Sequence, residues 1–249
     1  MKRTKYTIAN WKMNGQKDSY KLVKSISNYC QKMKRKTSKV VICPPFTLLS
    51  ELIKKEKKIK FGGQDCHYKS QGAYTGSISA NMLKTINCQY VILGHSERRI
   101  YNKETNESIK KCAQFGIKSS LSPIICVGEN LGQRENGKAI DFIEKQITDC
   151  LPEDFNELTI AYEPIWSIGT GKIPLQSEIR EMHKNIKEIV FSKLKKNVKV
   201  LYGGSVNEQN INEILSVNNV DGVLVGGASL KIKDFLAIYG SAVKHLEKL

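Results

Sequence analysis

Residues 158–164 read LTIAYEP, and this stretch decides the fold. Its core is apolar, but it lacks the strict alternation of polar and apolar side chains that marks a sheet with one face in water. It is also too short to form the core of a helix. We therefore interpret it as a strand buried on both faces, which is typical of a parallel sheet covered by helices.

Seven further segments have the same character. The eight candidate strands are YTIANW (6–11), KVVICPP (39–45), KIKFGGQDC (58–66), QYVILGHS (89–96), SPIICVGE (122–129), LTIAYEP (158–164), VKVLYGGS (198–205) and VDGVLVGGAS (220–229). Helix-like stretches separate most of them, and residues 177–194 are the clearest because their apolar side chains fall on one stripe. Residues 103–115 and 138–151 show a similar pattern.

Eight such units predict a closed (β/α)8 barrel, and the length of 249 residues suits that fold, which needs about 250. No linker or second-domain signal interrupts the chain, so residues 1–249 are expected to form a single α/β domain. The alternative is an open, doubly wound sheet.

Composition narrows the class of protein further. Hydrophobic residues make up 40% and charged residues 26%, which is an ordinary globular balance. No run of eighteen apolar residues is present, so no transmembrane helix is expected. The apolar start of the chain is interrupted by Asn10, Lys12 and Asn14, which argues against a signal peptide and makes the cytoplasm the expected location.

The seven cysteines include no CxxC pair, so no metal-ligand spacing is visible. They are interpreted as reduced and mostly buried. The formal net charge of +16 comes almost entirely from lysine. Nucleic-acid sites favour the bidentate fork of arginine, so this charge is interpreted as a solvated surface rather than a nucleic-acid site. Long-range attraction of a phosphate ester remains open as a minor role.

Polar side chains stand where the apolar runs end, which in a barrel is the active-site face. Alternation along the first strand points Asn10 and Lys12 the same way, with Trp11 opposite. The fourth strand ends at His95, and the sixth ends at Glu163. A carboxylate after a buried strand is costly unless it is partnered or functional, so Glu163 is the candidate base.

Glycine-rich segments complete the candidate site. Residues 164–172 combine a large apolar tip with two glycines, the composition of a lid that closes over a substrate. The seventh and eighth strands end in GGS (203–205) and GGAS (226–229). Loops at these two positions are the usual phosphate site of such barrels. The residues alone therefore predict an enzyme site that binds a small phosphorylated substrate beside a histidine and a carboxylate.

The chain resembles the triosephosphate isomerase family over essentially its whole length. The motifs that carry the resemblance are ANWKMN (9–14), GGQDC (62–66), GAYTG (72–76), GHSERR (94–99), CVGE (126–129), AYEPIWSIGTGK (161–172), YGGSV (202–206) and LVGGASL (224–230). The resemblance implies interconversion of dihydroxyacetone phosphate and D-glyceraldehyde 3-phosphate through an enediolate, in glycolysis and gluconeogenesis.

The resemblance also implies a role for each residue that matches a motif. Glu163 would be the base and neutral His95 the electrophile, the pairing that serves as a standard example of acid–base tuning. Lys12 and Asn10 would bind the substrate and stabilise charge, with Glu97 in support. Backbone N–H groups would hold the phosphate, and these belong to Gly169, Ser205, Gly226 and Gly227. A helix N-terminus is expected to lower the pKa of His95. No metal or organic cofactor is expected.

By the same resemblance, residues 71–76 form the interdigitating loop of a homodimer, in which Thr75 reaches Asn10 and His95 of the partner subunit. Ser77 replaces the usual glutamate, so a pair across the subunits to Arg98 should be missing and the interface weaker. Lys187 stands where arginine is common opposite Asp221, and a looser ion pair is expected there because lysine cannot bind in a bidentate way.

Pro174 is a third departure from the family pattern. Many members donate a backbone N–H here to the tyrosine equivalent to Tyr202 when the lid closes, and proline has no N–H. Closure is then expected to depend more on Gly169 and Ser205. Two alternatives to the isomerase stay open at this point. One is a different barrel enzyme acting on a phosphorylated substrate, and the other is a catalytically silent protein that binds phosphate or nucleic acid.

Overall fold

The chain folds into a closed barrel of eight parallel strands. The computed structural model describes residues 4–33, 38–170 and 172–247. The strands are β1 (Lys5–Asn10), β2 (Ser38–Cys43), β3 (Lys60–Gly63), β4 (Tyr90–Leu93), β5 (Ser122–Val127), β6 (Thr159–Tyr162), β7 (Lys199–Tyr202) and β8 (Gly222–Val225). Each strand pairs with the next in sequence, and β8 closes the barrel by pairing with β1. The predicted barrel is confirmed, and the alternative of an open sheet is wrong.

Helices surround the barrel and fill most of the connections. They are α1 (Tyr20–Lys32), α2 (Phe46–Lys55), α3 (Ala80–Thr85), α4 (Ser96–Tyr101), α5 (Asn106–Lys118), α6 (Leu131–Glu135), α7 (Ala139–Cys150), α8 (Gln176–Leu194), α9 (Ile211–Ser216) and α10 (Ile232–Glu247). Short 3-10 turns cover Lys17–Ser19, Ile165–Ser167 and Gly227–Leu230.

The helices predicted at 138–151 and 177–194 match α7 and α8 closely. The one predicted at 103–115 is shifted, because α5 starts at Asn106 and continues to Lys118. The Thr105 side chain accepts the backbone N–H of Ser108 and caps the helix, while Lys103 has a φ of 56° that is incompatible with helix.

The core has two layers, one inside the barrel and one between the barrel and its helices. Side chains of alternating strand positions fill the barrel, among them Tyr6, Ile8, Ile92, Ala161 and Leu201. The intervening positions pack outward against the helices. Trp11 belongs to this outer layer, as alternation along the first strand predicts.

Several chemical features of the described residues bear on function. None of their helices combines the length and apolar character needed to cross a bilayer. No group of three or more His, Cys, Asp or Glu side chains within the described ranges is arranged to hold a metal. All seven cysteines are free thiols, and five of them are buried. Lys187 pairs with Asp221 through one nitrogen at 2.8 Å.

Candidate active site

The side chains that point into the barrel continue into the candidate active site. Ile8 and Ala161 fill the barrel interior, and the residues two positions later in the chain are Asn10 and Glu163. Because side chains alternate along a strand, Asn10 and Glu163 inherit the inward direction at the carboxyl end of the barrel. Both are buried. The strand pattern therefore positions the polar groups of the site.

A cavity of about 220 Å³ opens at this end of the barrel. Its lining consists of Asn10, Lys12, His95, Glu163, Ile168, Gly169, Gly203, Gly204, Ser205, Val206, Asn207, Leu224, Gly226 and Gly227. Every candidate site residue predicted from the sequence lines this cavity except Glu97. Glu97 lines a neighbouring pocket of about 350 Å³ that also contains Asn10, Lys12 and His95.

Glu163 is held by groups from the ends of two neighbouring strands, β4 and β5. Its Oε1 lies 3.0 Å from Nε2 of His95, and its Oε2 accepts the backbone N–H of Ser96 at 3.1 Å. Its backbone N–H donates to the carbonyl of Val127 at 2.7 Å. Only 2% of the residue is exposed. The carboxylate is thus nearly dry, yet both of its oxygens have polar neighbours.

His95 is the residue that precedes α4 and caps it. Its Nδ1 accepts the backbone N–H of Glu97 at 3.2 Å. A nitrogen that accepts this bond carries no proton, so the neutral ring has its proton on Nε2, the atom that faces Glu163 and the cavity. The end of a short helix therefore sets the tautomer of the imidazole.

The Glu163 carboxylate and the His95 imidazole shift each other's pKa. Burial opposes the carboxylate, but the attraction of His95 and the N–H of Ser96 outweigh it, so the pKa of Glu163 lies below its ordinary value. Burial likewise opposes the imidazolium, but the adjacent Glu163 outweighs it and raises the pKa of His95. The expectation that the helix N-terminus lowers the pKa of His95 is wrong for this arrangement, because the carboxylate lies in contact with the ring.

Lys12 brings a positive charge to the cavity from an unusual backbone conformation. Its φ is 53°, in the left-handed region, and its N–H donates to Oδ1 of Asn10 at 3.0 Å. Its ammonium group lies 2.6 Å from Oε1 of Glu97. A Cβ added to Gly226 would lie 3.4 Å from Cε of Lys12. The ammonium therefore lies between a carboxylate and the glycine-rich end of β8.

Glycine-rich backbone forms the side of the cavity after β7 and β8. The 3-10 turn Gly227–Leu230 begins at the cavity, so the N–H groups of its first residues lie at the positive end of the turn. A Cβ added at Gly227 or at Gly169 would meet nothing within 4 Å, which shows that open space lies beside both residues. This backbone can approach an anion closely.

The lid (residues 164–172) is attached near its start and near its middle, and Gly171 lies outside the described residues. Near its start, Nε1 of Trp166 donates to Oε1 of Glu129 at 3.0 Å. Near its middle, Oγ of Ser205 donates to the carbonyl of Ser167 at 2.6 Å. The hydroxyl of Tyr202 lies 3.4 Å from Oγ of Ser167. Pro174, which follows the lid, is buried.

Arg98 pairs with two acidic residues of its own chain. Its guanidinium lies 2.7 Å from Oδ2 of Asp65 and 2.5 Å from Oε1 of Glu104. Ser77, whose replacement of glutamate predicts the loss of a pair between subunits, is exposed. Both acidic partners of Arg98 therefore belong to its own chain.

Several residues of the site were not predicted from the sequence. Ile168 and Leu224 form apolar parts of the cavity wall. Leu224 could have been found by alternation, because it precedes Gly226 by two positions on the same face. Gln64 was seen only as part of a motif, although its side chain contacts the backbone of Lys12. No local pattern reveals such a contact, since it joins distant parts of the chain.

Comparisons with known proteins agree with this geometry. The model of the family described as "Triosephosphate isomerase" matches residues 5–242. The triosephosphate isomerase of Wolbachia sp. subsp. Brugia malayi is 46% identical over 241 residues, covering 97% of each chain. The triosephosphate isomerase of Dictyoglomus thermophilum is 44% identical, and the match covers 96% of this chain and 100% of that one.

A solved structure is similar to the fold as well as to the sequence. The crystal structure of triosephosphate isomerase from Bartonella henselae superposes with a TM-score of 0.87 and is 36% identical. The match covers 95% of this chain and 98% of that chain. The similarity therefore extends over the barrel and over the loops that carry the cavity.

Proposed function

Since the chain belongs to the triosephosphate isomerase family and interconverts dihydroxyacetone phosphate and glyceraldehyde 3-phosphate, we propose that Glu163 is its base and His95 its electrophile. The observation that carries this proposal is the buried contact of 3.0 Å between the two side chains at the edge of the cavity. The family assignment excludes the alternatives of a different barrel enzyme and of a silent binding protein.

Glu163 is suited to remove a proton from carbon. Because its pKa is lowered, the carboxylate is ionised at neutral pH and ready to accept a proton. It takes the proton from C1 or C2 of the substrate and returns it to the other of these two carbons. Its burial removes water that would otherwise solvate the carboxylate and weaken it as a base.

His95 is proposed to polarise the carbonyl and to move protons between the substrate oxygens. Its Nε2–H can donate to either oxygen of a substrate that enters between it and Glu163. When the substrate separates the two side chains, the contact that raises the pKa of His95 is lost. The bond from the Glu97 N–H to Nδ1 then favours the neutral ring, which matches the weak acidity of the substrate hydroxyls.

Lys12, Asn10 and Glu97 are proposed to handle the negative charge of the substrate. The ammonium of Lys12 can contact the phosphate and the enediolate, and Asn10 supports it through the bond to its backbone N–H. In the free enzyme Glu97 holds the ammonium. Binding of substrate would exchange this carboxylate for phosphate, so Glu97 supports the site without touching the reacting carbons.

The phosphate is proposed to lie against the backbone N–H groups of Gly169, Ser205, Gly226 and Gly227. All four residues line the same cavity as the acid–base pair. Closure of the lid would bring Gly169 onto the phosphate and exclude water from the enediolate, which can otherwise expel phosphate. No metal or organic cofactor is part of this proposal, since the chemistry is proton transfer only.

Substitution of Glu163 tests the proposal. Glu163→Gln keeps the shape of the side chain and removes the base, and Glu163→Asp withdraws it by one methylene. In a coupled assay with glyceraldehyde 3-phosphate we expect both variants to lose several orders of magnitude in kcat, with the cavity and the folded state intact. Wild-type turnover in Glu163→Gln would remove Glu163 from the proposed mechanism.

We also propose that the enzyme is a homodimer through residues 71–76. The loop is exposed, and the 350 Å³ pocket beside the cavity offers it a site with exposed apolar side chains. Met13 is 96% exposed and Tyr101 is 78% exposed, and both lie in that pocket. A second copy of the chain would cover them and bring Thr75 to Asn10 and His95 of the partner subunit.

Mass in solution tests the dimer. We expect a particle of twice 28.1 kDa by light scattering, and Tyr101→Asp should shift it towards the monomer. Phe191→Asp is the matched control, because Phe191 is 49% exposed on α8 and outside this pocket. A fully active wild-type monomer would contradict the proposal. For the whole chain we propose a single domain that works in the cytoplasm, without a nucleic-acid or membrane partner.

A further inference from the structure

The backbone of Lys12 is held in a conformation that lysine rarely adopts. A φ of 53° places it in the left-handed region, which disfavours residues with a Cβ. A change of this residue to an ordinary conformation would redirect its Cβ and move the ammonium out of the cavity. Such a conformation persists only where neighbouring groups hold it in place. The contacts of the Lys12 backbone should therefore include the groups that stabilise it.

Gln64 contacts the backbone of Lys12 from outside the segment that contains Lys12. It directly follows β3, and its Nε2 donates to the carbonyl of Lys12 at 2.8 Å and to the carbonyl of Cys43 at 2.9 Å. The same carbonyl of Cys43 accepts the backbone N–H of Trp11 at 3.1 Å. One side-chain amide therefore ties the ends of β1, β2 and β3 together at Lys12.

Two carbonyl oxygens that converge on one atom require a group with two hydrogens. The amide nitrogen of Gln64 meets this requirement, whereas a carboxylate of the same shape would place negative charge against both oxygens. A methionine of similar length would leave both bonds unmade. The chemistry at position 64 is therefore specific for a donor.

We infer that Gln64 is a positioning residue that fixes the backbone of Lys12 and so directs its ammonium into the cavity. With the backbone fixed, the lysine side chain reaches both Glu97, 2.6 Å away, and the space beside Gly226, where an added Cβ would lie 3.9 Å from its Nζ. The inference rests on the proposed role of Lys12 at the phosphate. It identifies Gln64 as the residue that determines the position of the Lys12 ammonium.

The variants Gln64→Met and Gln64→Glu test the inference, with Gln31→Met as control. Gln31 also donates to a backbone carbonyl, that of Ser27, but on α1 and outside the residues that line the cavity. For Gln64→Met we expect KM for glyceraldehyde 3-phosphate and the inhibition constant of inorganic phosphate to rise together by about tenfold, with a smaller change in kcat. Gln31→Met should leave all three unchanged.

A double-mutant cycle separates positioning from a general loss of structure. In a Lys12→Ala background, Gln64→Met should produce no further rise in KM, because the charge that it positions is gone. An equal rise in both backgrounds, or wild-type constants in Gln64→Met, would overturn the inference. If Gln64→Met fails to fold, the crystal structure of Gln64→Glu replaces the cycle, because the added carboxylate would itself repel the phosphate and raise KM in both backgrounds.

A crystal structure of the Gln64 variant that folds makes the geometric claim independent of the kinetics. We expect the φ of Lys12 to leave the left-handed region or its Nζ to move away from the cavity. An unchanged Lys12 overturns the inference even if KM has risen. Wild-type constants in Lys12→Ala instead contradict the proposed role of Lys12 in substrate binding, so the two failures are distinguishable.

Discussion

At the scale of single residues, Gly128 controls where Glu163 lies. A Cβ added at position 128 would lie 1.7 Å from the carbonyl oxygen of Glu163, far inside contact distance. Gly128→Ala must therefore displace the backbone that carries the proposed base. Because a displacement of about 1 Å can cost ~100-fold in rate, we expect kcat in the isomerase assay to fall by about that factor.

Gly116→Ala is the control for this prediction. Gly116 lies in α5, and its added Cβ would meet only Val91 at 3.6 Å and Pro123 at 3.9 Å, which is ordinary contact. Removing a glycine from the interior of a helix also favours folding. We expect wild-type kcat and unchanged or higher thermal stability in this variant. If Gly128→Ala has the same kcat as the control, the close approach of the Gly128 and Glu163 backbones is not required for turnover.

These residues mark the boundary of what sequence alone predicts about the site. Asn10 and Glu163 could be found because strand alternation and the end of an apolar run are local patterns. Gly128 and Gln64 could not be assigned roles, because each acts on a residue many positions away. The pKa of His95 was expected in the wrong direction for a similar reason. The effect of the helix is local, but the contact with Glu163 is a tertiary one.

At the scale of elements, two contacts of unequal length join the lid to the end of β7 and to the loop that follows it. The bond from Ser205 to the carbonyl of Ser167 is 2.6 Å long, whereas the hydroxyl of Tyr202 lies 3.4 Å from Oγ of Ser167. A contact of 3.4 Å between hydroxyl groups is long and weak. The buried Pro174 beside the lid offers Tyr202 no N–H as a replacement partner.

We therefore expect Tyr202→Phe to lower kcat by no more than about threefold, since little hydrogen-bond energy is lost. Ser205→Ala should have the larger effect, because it removes the shorter bond to the lid. Steady-state kinetics of both variants in the isomerase assay tests this order. A severe loss of turnover in Tyr202→Phe, with a mild one in Ser205→Ala, would show that Tyr202 latches the lid despite Pro174.

The elements themselves follow from the sequence more completely than their boundaries do. All eight strands and the helices α7 and α8 form where apolar pattern predicts them. The start of α5 was placed three residues early because Lys103, at a φ of 56°, carries no signal that distinguishes it from a helical lysine. Only the cap at Thr105 marks the true start, and several polar residues nearby could have served as caps.

At the scale of the whole molecule, the half-buried Asp65 and the buried His183 give the free energy of unfolding opposite dependences on pH. Burial raises the pKa of Asp65 to about 7, with Arg98 opposing and Glu104 adding to the shift. Burial lowers the pKa of His183 to about 3, and its Nδ1 lies 3.4 Å from the carbonyl of Asn219. For both groups, folding favours the neutral form over the charged form.

The two signs follow from which state binds the proton more tightly. Folded Asp65 does so, and its stabilising contribution is present below pH ~4 and is lost as the pH rises to about 7. For His183 the unfolded chain binds the proton more tightly, so its contribution is present above pH ~6.5 and is lost as the pH falls towards about 3. Between pH ~4 and ~6.5 the contributions oppose each other, with a limit of about 1.4 kcal/mol per pH unit for each.

Removing either group should therefore expose the slope of the other. We expect Asp65→Asn to gain stability relative to wild type as the pH rises from 4 to 7, and His183→Gln to gain it as the pH falls over the same range. Urea unfolding at fixed protein concentration measures both, and Asp141→Asn, which changes an exposed carboxylate on α7, serves as the control. If the difference between Asp65→Asn and wild type stays constant with pH, Asp65 titrates alike in the folded and unfolded chains. Asp65 would then carry a full negative charge at neutral pH beside the guanidinium of Arg98.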